Sequence, residues 1–243
     1  MIFNIITLFP ESIEPYLNSS ILKRGIENEF IKVNLIQLRD FSSNKHKQVD
    51  DYTFGGGSGM VIMAQPLIDA LETVKGHKIY MSPKGKTLTQ NIAYELSKKE
   101  EITLVCGHYE GIDQRVIDNY IDEEISIGDY ILTGGELGAL VLVDSVSRLV
   151  DGVIKESSHL DESFSNYLLE YPHYTKPRDY KGLEVPPVLF GGNHKLIEEY
   201  RFEESVKLTI IRRPDLIENG ISKNIFSKKQ LKTILNVKKS LIK

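Results

Sequence analysis

Ile102-Thr103-Leu104-Val105-Cys106 runs directly into Gly107-His108-Tyr109-Glu110-Gly111, and Glu124-Ile125 runs into Ser126-Ile127-Gly128-Asp129-Tyr130-Ile131-Leu132-Thr133-Gly134-Gly135. Twice, then, an apolar run ends in a glycine-rich turn. Glycine permits positive φ and close approach, so the N–H and C=O groups of such a turn can read a flat heterocycle through main-chain hydrogen bonds. Neither turn fits the usual nucleotide motifs. Elsewhere, Gly55-Gly56-Gly57-Ser58-Gly59-Met60 breaks the G-x-G-x-x-G spacing, and Gly85-Lys86-Thr87 ends like a phosphate loop but has Tyr80 where the first glycine belongs.

Outward from this stretch, strand-like and helix-like segments alternate. Ile2–Leu8, Ile31–Leu38, His77–Met81, Glu101–Cys106 and Glu124–Ile127 read as strands. Between them Glu11–Asn28, Pro66–Val74, Thr89–Lys98 and Ile112–Tyr120 carry apolar residues at helical spacing, and Glu136–Val150 reads as a longer helix with few charges. Such alternation predicts an α/β fold, a parallel sheet with helices on both faces. The helix Glu136–Val150 is apolar on nearly all sides, so it needs more than one covering surface, either the core alone or the core and a second subunit. From Lys155 to about Asn166 the periodicity dissolves into a polar linker or loop. Turn signals follow at Pro172, Pro177, Pro186-Pro187 and Gly191-Gly192. Asn193 or His194 opens a helix over Lys195–Ile211, which Arg212-Arg213-Pro214 stops, and Lys228–Lys239 reads as a last helix. A small helical second domain is the expectation.

The 243 residues suffice for one large domain, or one plus a small appendage. No run is apolar enough to span a bilayer, and Met1–Phe9 lacks a basic flank and a cleavage site, so the expectation is a cytoplasmic protein with no membrane partner. The single cysteine, Cys106, excludes an internal disulfide framework and reads as a buried strand residue. Charge is uneven: the chain carries −4 in total, yet from Leu160 onward 15 Lys and Arg stand against 11 Asp and Glu, and residues 221–243 hold seven lysines and no acid. That basic end is either a phosphate-contacting surface or a solvated helix face.

Four blocks in order give the chain a resemblance over nearly its whole length. They are Asp50-Asp51 with Gly55-Gly56-Gly57-Ser58-Gly59-Met60, Leu104 through Arg115, Ser126 through Glu136, and Tyr171-Pro172-His173-Tyr174-Thr175-Lys176-Pro177. The chain resembles the bacterial tRNA (guanine-N1)-methyltransferases of the SPOUT class. The resemblance implies an α/β domain, residues 1–154, with a deep trefoil knot, an exception to the unknotted rule. It further implies a linker over residues 155–168 and a helical tRNA-binding domain over 169–243. It also implies a homodimer whose active sites draw on both subunits, and methyl transfer from S-adenosylmethionine to N1 of the guanine immediately 3′ of the tRNA anticodon. Cofactor contacts carry over onto Tyr80, Met81, Ser82 and Pro83, onto Gly107, Tyr109, Glu110 and Gly111, and onto Ile127, Gly128, Asp129, Tyr130, Ile131 and Leu132, with Gly134 and Gly135 closing the pocket.

N1 of guanine is protonated at neutral pH, so methylation there calls for a general base, and charge building toward O6 calls for a cationic or hydrogen-bonding partner. By resemblance the cation is Arg148 and the base an aspartate directly before Ser163-Phe164. This chain departs from that pattern. Glu162 occupies the position, with Asp161 one residue earlier, so either Glu162 serves as base or a shifted loop brings Asp161 to the task. No His or Cys pair has zinc-ligand spacing, and no oxygen cage is evident for the Mg²⁺ associated with the family, which stays an implication of the resemblance alone. Lys176, Arg178, Arg212, Arg213 and the C-terminal lysines are candidate tRNA contacts. The competing readings are an RNA-binding relative without catalysis and a SPOUT methyltransferase acting on another RNA position; cofactor binding and product analysis separate them.

Overall fold

A computed structural model describes residues 1–57, 59–154 and 162–241, in which the chain forms two compact units, Met1–Glu156 and Ser157–Lys243. Most of the expected loop 155–166, including Asp161, and Ser58 of the glycine block lie outside the described residues.

The first unit is built on five strands: β1 (Ile2–Thr7), β2 (Lys32–Gln37), β5 (His77–Thr87), β6 (Glu101–Cys106) and β7 (Glu123–Ser126). They form one sheet in the order β2-β1-β6-β5-β7, and every pairing is parallel. A parallel sheet is covered on both faces, so its strands are apolar along their length. Accordingly Ile102 through Cys106 of β6 are all buried. The period of two sends Phe3, Ile5, Ile79, Met81, Leu104 and Cys106 to one core and Ile6, Tyr80 and Val105 to the other.

Helices α1 (Pro10–Leu17), α2 (Ser20–Glu27), α4 (Gln90–Ser97) and α6 (Glu136–Ser147) cover the first core, while α3 (Ala64–Glu72) and α5 (Gln114–Tyr120) cover the second. Each fully buried leucine, isoleucine or phenylalanine in these cores contributes about 1.5–3 kcal/mol. Two polar residues inside the sheet, Asn4 and Thr103, are paired: Asn4 donates to Glu101 (2.7 Å) and Thr103 (3.3 Å), and Thr103 donates to the Lys75 carbonyl (3.0 Å).

Several elements differ from the sequence expectation. Residues 11–28, expected as one helix, form α1 and α2. Asn18 ends α1, Ser19 is extended, and the Ser19 hydroxyl bonds back to the Tyr16 carbonyl (2.6 Å), the local competition that makes Asn and Ser poor helix-interior residues. The third element pair, β3 (Asp50–Tyr52) and β4 (Met60–Ile62), is an antiparallel hairpin too short to show alternation in sequence. Strand β5 continues beyond Met81. Its register against β7 shifts between Met81 and Lys86, so Ser82–Gly85 bulge out at the carboxyl edge of the sheet.

In the second unit a short ladder of β8 (Asp179–Tyr180) and β9 (Leu183–Glu184) precedes three helices, α7 (His194–Arg212), α8 (Pro214–Ser222) and α9 (Lys228–Leu241). Asn193 caps α7, its side chain accepting from the Leu196 amide (3.3 Å). Pro214, read as a stop, also opens α8, a helix the sequence reading lacked; proline is at home in a first turn, where its missing N–H has no helical partner. Val206, Ile217, Phe226, Ile234 and Val237 make the core of this unit. No helix among the described residues is long and apolar enough to cross a membrane.

Candidate active site

In a parallel sheet every strand delivers its carboxyl end to the same edge, and ligands bind in the crevice there. The loops following β6 and β7, together with the bulge in β5, meet at that edge and enclose a cavity of about 290 Å³, at the lower end of the usual range for small-molecule sites. It is lined by Tyr80, Met81, Ser82 and Pro83 from β5, by Gly107, Tyr109, Glu110 and Gly111 after β6, and by Ile127, Gly128, Tyr130, Ile131, Leu132, Gly134 and Gly135 after β7. Three segments far apart in sequence thus form one wall. Of the cofactor residues expected from sequence, Asp129 is outside the lining. His108, Ser126, Thr133, Lys84 and Gln114 line it and were missed. All but Lys84 sit inside a quoted block, and Lys84 directly follows Pro83.

The 107–111 loop is held from both sides. On one side Glu110 N–H donates to the Met60 carbonyl and Ile62 N–H to the Gly111 carbonyl, both 3.0 Å, tying the loop to the hairpin. On the other, Gly135 N–H donates to the Gly107 carbonyl (2.9 Å), and His108 and Gly134 form a bridge. Tyr109 sits at φ +57°, a left-handed conformation that costs a non-glycine residue about 1–3 kcal/mol and tends to persist at ligand sites. In the β7 loop the Ser126 hydroxyl accepts from Gly128 N–H (3.1 Å), and Tyr130 N–H donates to the Gly128 carbonyl (2.9 Å). Tyr130 and Ile131 are exposed, leaving apolar surface beside main-chain polar groups.

Burial, with the Glu124 carboxylate adding, pushes the Tyr80 phenol up to about 12, so it lines the cavity as a neutral group. Burial also pushes the Cys106 thiol well up, with the charge of Glu136 adding to it, so the thiol is no nucleophile. The Asp113 carboxylate caps α5, accepting from Arg115 N–H (2.9 Å), and the Arg115 guanidinium holds it below the usual carboxylate range.

The residues present suit S-adenosylmethionine. A turn of main-chain donors and acceptors flanked by Tyr130, Ile131 and Leu132 matches an adenine ring, and the Glu110 carboxylate, on the cavity wall, matches a cationic end. Among the described residues no group of three or more His, Cys, Asp and Glu could hold a metal ion.

Arg148 closes α6 as its C-cap, in the first unit, and is half-buried. Glu162 belongs to the second unit, where its carbonyl accepts from Ser165 N–H (3.2 Å) and the residue borders a cavity of about 420 Å³ with Tyr171, Arg201 and Gln230. The following segment is well tied down: Phe164 N–H donates to the Leu168 carbonyl (2.9 Å) and Glu170 N–H to the Ser163 hydroxyl (2.9 Å). Lys176, Arg178, Arg212, Lys228, Lys232 and Lys239 are exposed; Arg213 is engaged by Asp215 (2.6 Å) and Lys229 by Glu199 (2.7 Å), while Lys243 lies outside the described residues.

Comparison with known proteins bears on this site. The model of the family described as tRNA (Guanine-1)-methyltransferase TrmD matches residues 1–219. The chain belongs to that family. A curated tRNA (guanine-N(1)-)-methyltransferase from Caldanaerobacter subterraneus subsp. tengcongensis is 57% identical over 225 residues, covering 90% of this chain and 93% of that protein. One of the same name from Clostridioides difficile is 53% identical, covering 92% of this chain and 100% of that protein, and one from Mycoplasma mycoides subsp. mycoides is 54% identical, covering 90% and 92%. The match spans the cavity-lining segments and both Arg148 and Glu162, so the site described above lies inside the region that defines the family.

Proposed function

We propose that this protein transfers a methyl group from S-adenosylmethionine to N1 of the guanine immediately 3′ of the anticodon in tRNA. The observation that carries the reading is the single cavity formed by the loops after β6 and β7 and the β5 bulge, lined by every residue assigned to the cofactor except Asp129. When bound there, S-adenosylmethionine supplies the electrophilic methyl group. The main chain of Ile127–Leu132 holds the adenine edge, and Glu110 faces either the cationic end of the cofactor or the target base.

Glu162, or Asp161 beside it, takes the N1 proton as N1 attacks, and the Arg148 guanidinium offsets charge developing toward O6. A base of this kind accelerates such a step by about 10²–10⁴-fold. Registration of Ser163 through its hydroxyl and of Phe164 through its main chain supports Glu162, the residue immediately before them.

The same reading has α6 meeting a second copy of the chain. Leu137 and Val141, one turn apart on an otherwise buried helix, are 60% and 46% exposed, and a second subunit would cover them. The carboxyl-edge loops are threaded as a SPOUT knot, a reading that rests on the family to which the chain belongs. The second unit, with its exposed basic residues, contacts tRNA phosphates.

The test is transfer of labelled methyl from S-adenosylmethionine to two unmodified tRNA transcripts that differ only in guanine or adenine 3′ of the anticodon. Label confined to the guanine transcript is expected. Equal labelling of both, or of neither, overturns the assignment.

A further inference from the structure

A buried polar cluster beside the cavity has no part in the chemistry above. Glu136, the first residue of α6, is 8% exposed, and its carboxylate receives three contacts: the Thr7 hydroxyl donates at 2.6 Å, and His108 Nε2 lies 2.9 and 2.8 Å from its two oxygens. A carboxylate only accepts, so the ring proton sits on Nε2. Phe9 closes the cluster: its N–H donates to the Thr7 hydroxyl (2.9 Å), and its ring meets the His108 ring edge-on at 4.9 Å. The three polar residues come from the end of β1, the loop after β6 and the start of α6.

We propose that His108 and Glu136, with Thr7, are positioning residues that set the spacing of the two cofactor loops, an inference that rests on the cavity being the S-adenosylmethionine site. His108 stands in one loop and lines the cavity. Glu136 directly follows Gly134 and Gly135 of the other, so the bond between them fixes one loop against the other. The fit leaves no slack: a Cβ at Gly134 would lie 2.3 Å from the His108 ring and 2.5 Å from the Glu136 carboxylate. Burying a carboxylate, an imidazole and a hydroxyl is a poor route to stability, since apolar groups of the same volume usually serve as well or better. A directional network instead constrains geometry, and charge-assisted hydrogen bonds are the most demanding of direction and distance. The cluster acts on the methyl donor alone. It holds the glycine turn at the separation the donor needs.

The experiment compares His108→Ala, His108→Gln, Glu136→Ala and the double alanine variant with the wild type in the full-length protein. Calorimetry gives the S-adenosylmethionine affinity, and steady-state kinetics give KM for tRNA. Each single alanine variant is expected to weaken S-adenosylmethionine binding by about tenfold while KM for tRNA stays within twofold. The double variant should be no worse than either single one, the signature of residues that act as a unit. His108→Gln, which keeps an N–H donor at similar reach, should recover most of the loss.

Affinity within twofold of wild type in both single variants overturns the proposal, as does a tRNA KM that rises in step with the cofactor constant. Should Glu136→Ala fail to fold, Thr7→Val and His108→Ala decide through amide exchange: faster exchange at 107–111 and 133–135 with β1 and β6 unchanged supports it, and unchanged loop exchange overturns it. Amide exchange of the wild type separates the two readings. If S-adenosylmethionine leaves 107–111 and 127–135 unprotected and protects residues outside the cavity walls instead, the cofactor site and the positioning role fall together; if it protects those loops while the variants bind as wild type does, only the positioning role falls.

Discussion

Replacing Gly135 with alanine isolates the close approach on which the cavity depends. The residue has φ −82° and ψ −7°, a conformation open to any amino acid, so backbone preference does not exclude a side chain. Space does. A Cβ there would lie 2.7 Å from Cα of Cys106 and 3.0 Å from N of Gly107, against the 3.4 Å at which ordinary contact begins. A gap of about 0.7 Å must therefore open between two main-chain segments, neither of which has a flexible side chain that could yield. Overpacking of this sort costs about 1–3 kcal/mol. Separating the segments also weakens the Gly135 N–H to Gly107 C=O hydrogen bond, worth about 1 kcal/mol, for a total near 2–4 kcal/mol. For a unit of this size that is a drop of roughly 4–16 °C in melting temperature. Because the moved segments are cavity walls, S-adenosylmethionine affinity should fall at least tenfold in the same variant. Gly191→Ala, whose Cβ meets nothing nearer than 3.7 Å, is the control and should change neither. Differential scanning calorimetry with a cofactor titration makes the comparison. A Gly135→Ala protein that melts within 1–2 °C of wild type, about the effect of a neutral surface change, and binds the cofactor normally would refute the packing argument.

Four further outcomes follow from the same geometry. Glu162→Gln should lower single-turnover methyl transfer at least about tenfold, the smallest benefit expected of such a base, with Asp161→Asn the milder change; the reverse order would assign the base to Asp161. Lysine at both Leu137 and Val141 should yield a monomer by light scattering with little methyl transfer, and a fully active monomer would sink the two-subunit site. Glutamine at Lys232 and Lys239, both exposed, should raise KM for tRNA and reduce the slope of log affinity against log salt by about 1–2; an unchanged slope would remove α9 from the RNA surface. The folded-state pKa of Asp113 lies below its unfolded value, chiefly through its hydrogen bond with Arg115, so its contribution is present above the unfolded pKa, near about 3.9, and lost as pH falls through the folded one. Melting temperatures of wild type and Asp113→Asn should differ at neutral pH and converge on acidification, whereas parallel curves down to pH near ~2 would deny Asp113 that role.

Residue type and order alone determined a large part of this protein. Uninterrupted apolar runs such as Ile102–Cys106 marked strands buried on both faces, and helical spacing marked what covers them, because periodicity is a local property that burial imposes on the chain. The two glycine-rich turns that follow β6 and β7 line the cavity, since a turn that approaches a ligand by its main chain has few alternatives to glycine, whereas Gly55, Gly56, Gly57 and Gly59 are outside the lining. Short elements were illegible: two hydrogen-bonded residues in β8 or three in β3 carry no period, and Pro214 reads equally as the end of one helix and the start of the next. Tertiary structure alone brought Thr7, His108 and Glu136 to one point, across 129 residues of sequence between the first and the last. No local pattern could have announced that meeting. A lone histidine in a loop and a glutamate opening an apolar helix acquire their roles from hydrogen bonds of 2.6–2.9 Å, and those exist only once the sheet has placed the carboxyl end of β1 beside that of β6.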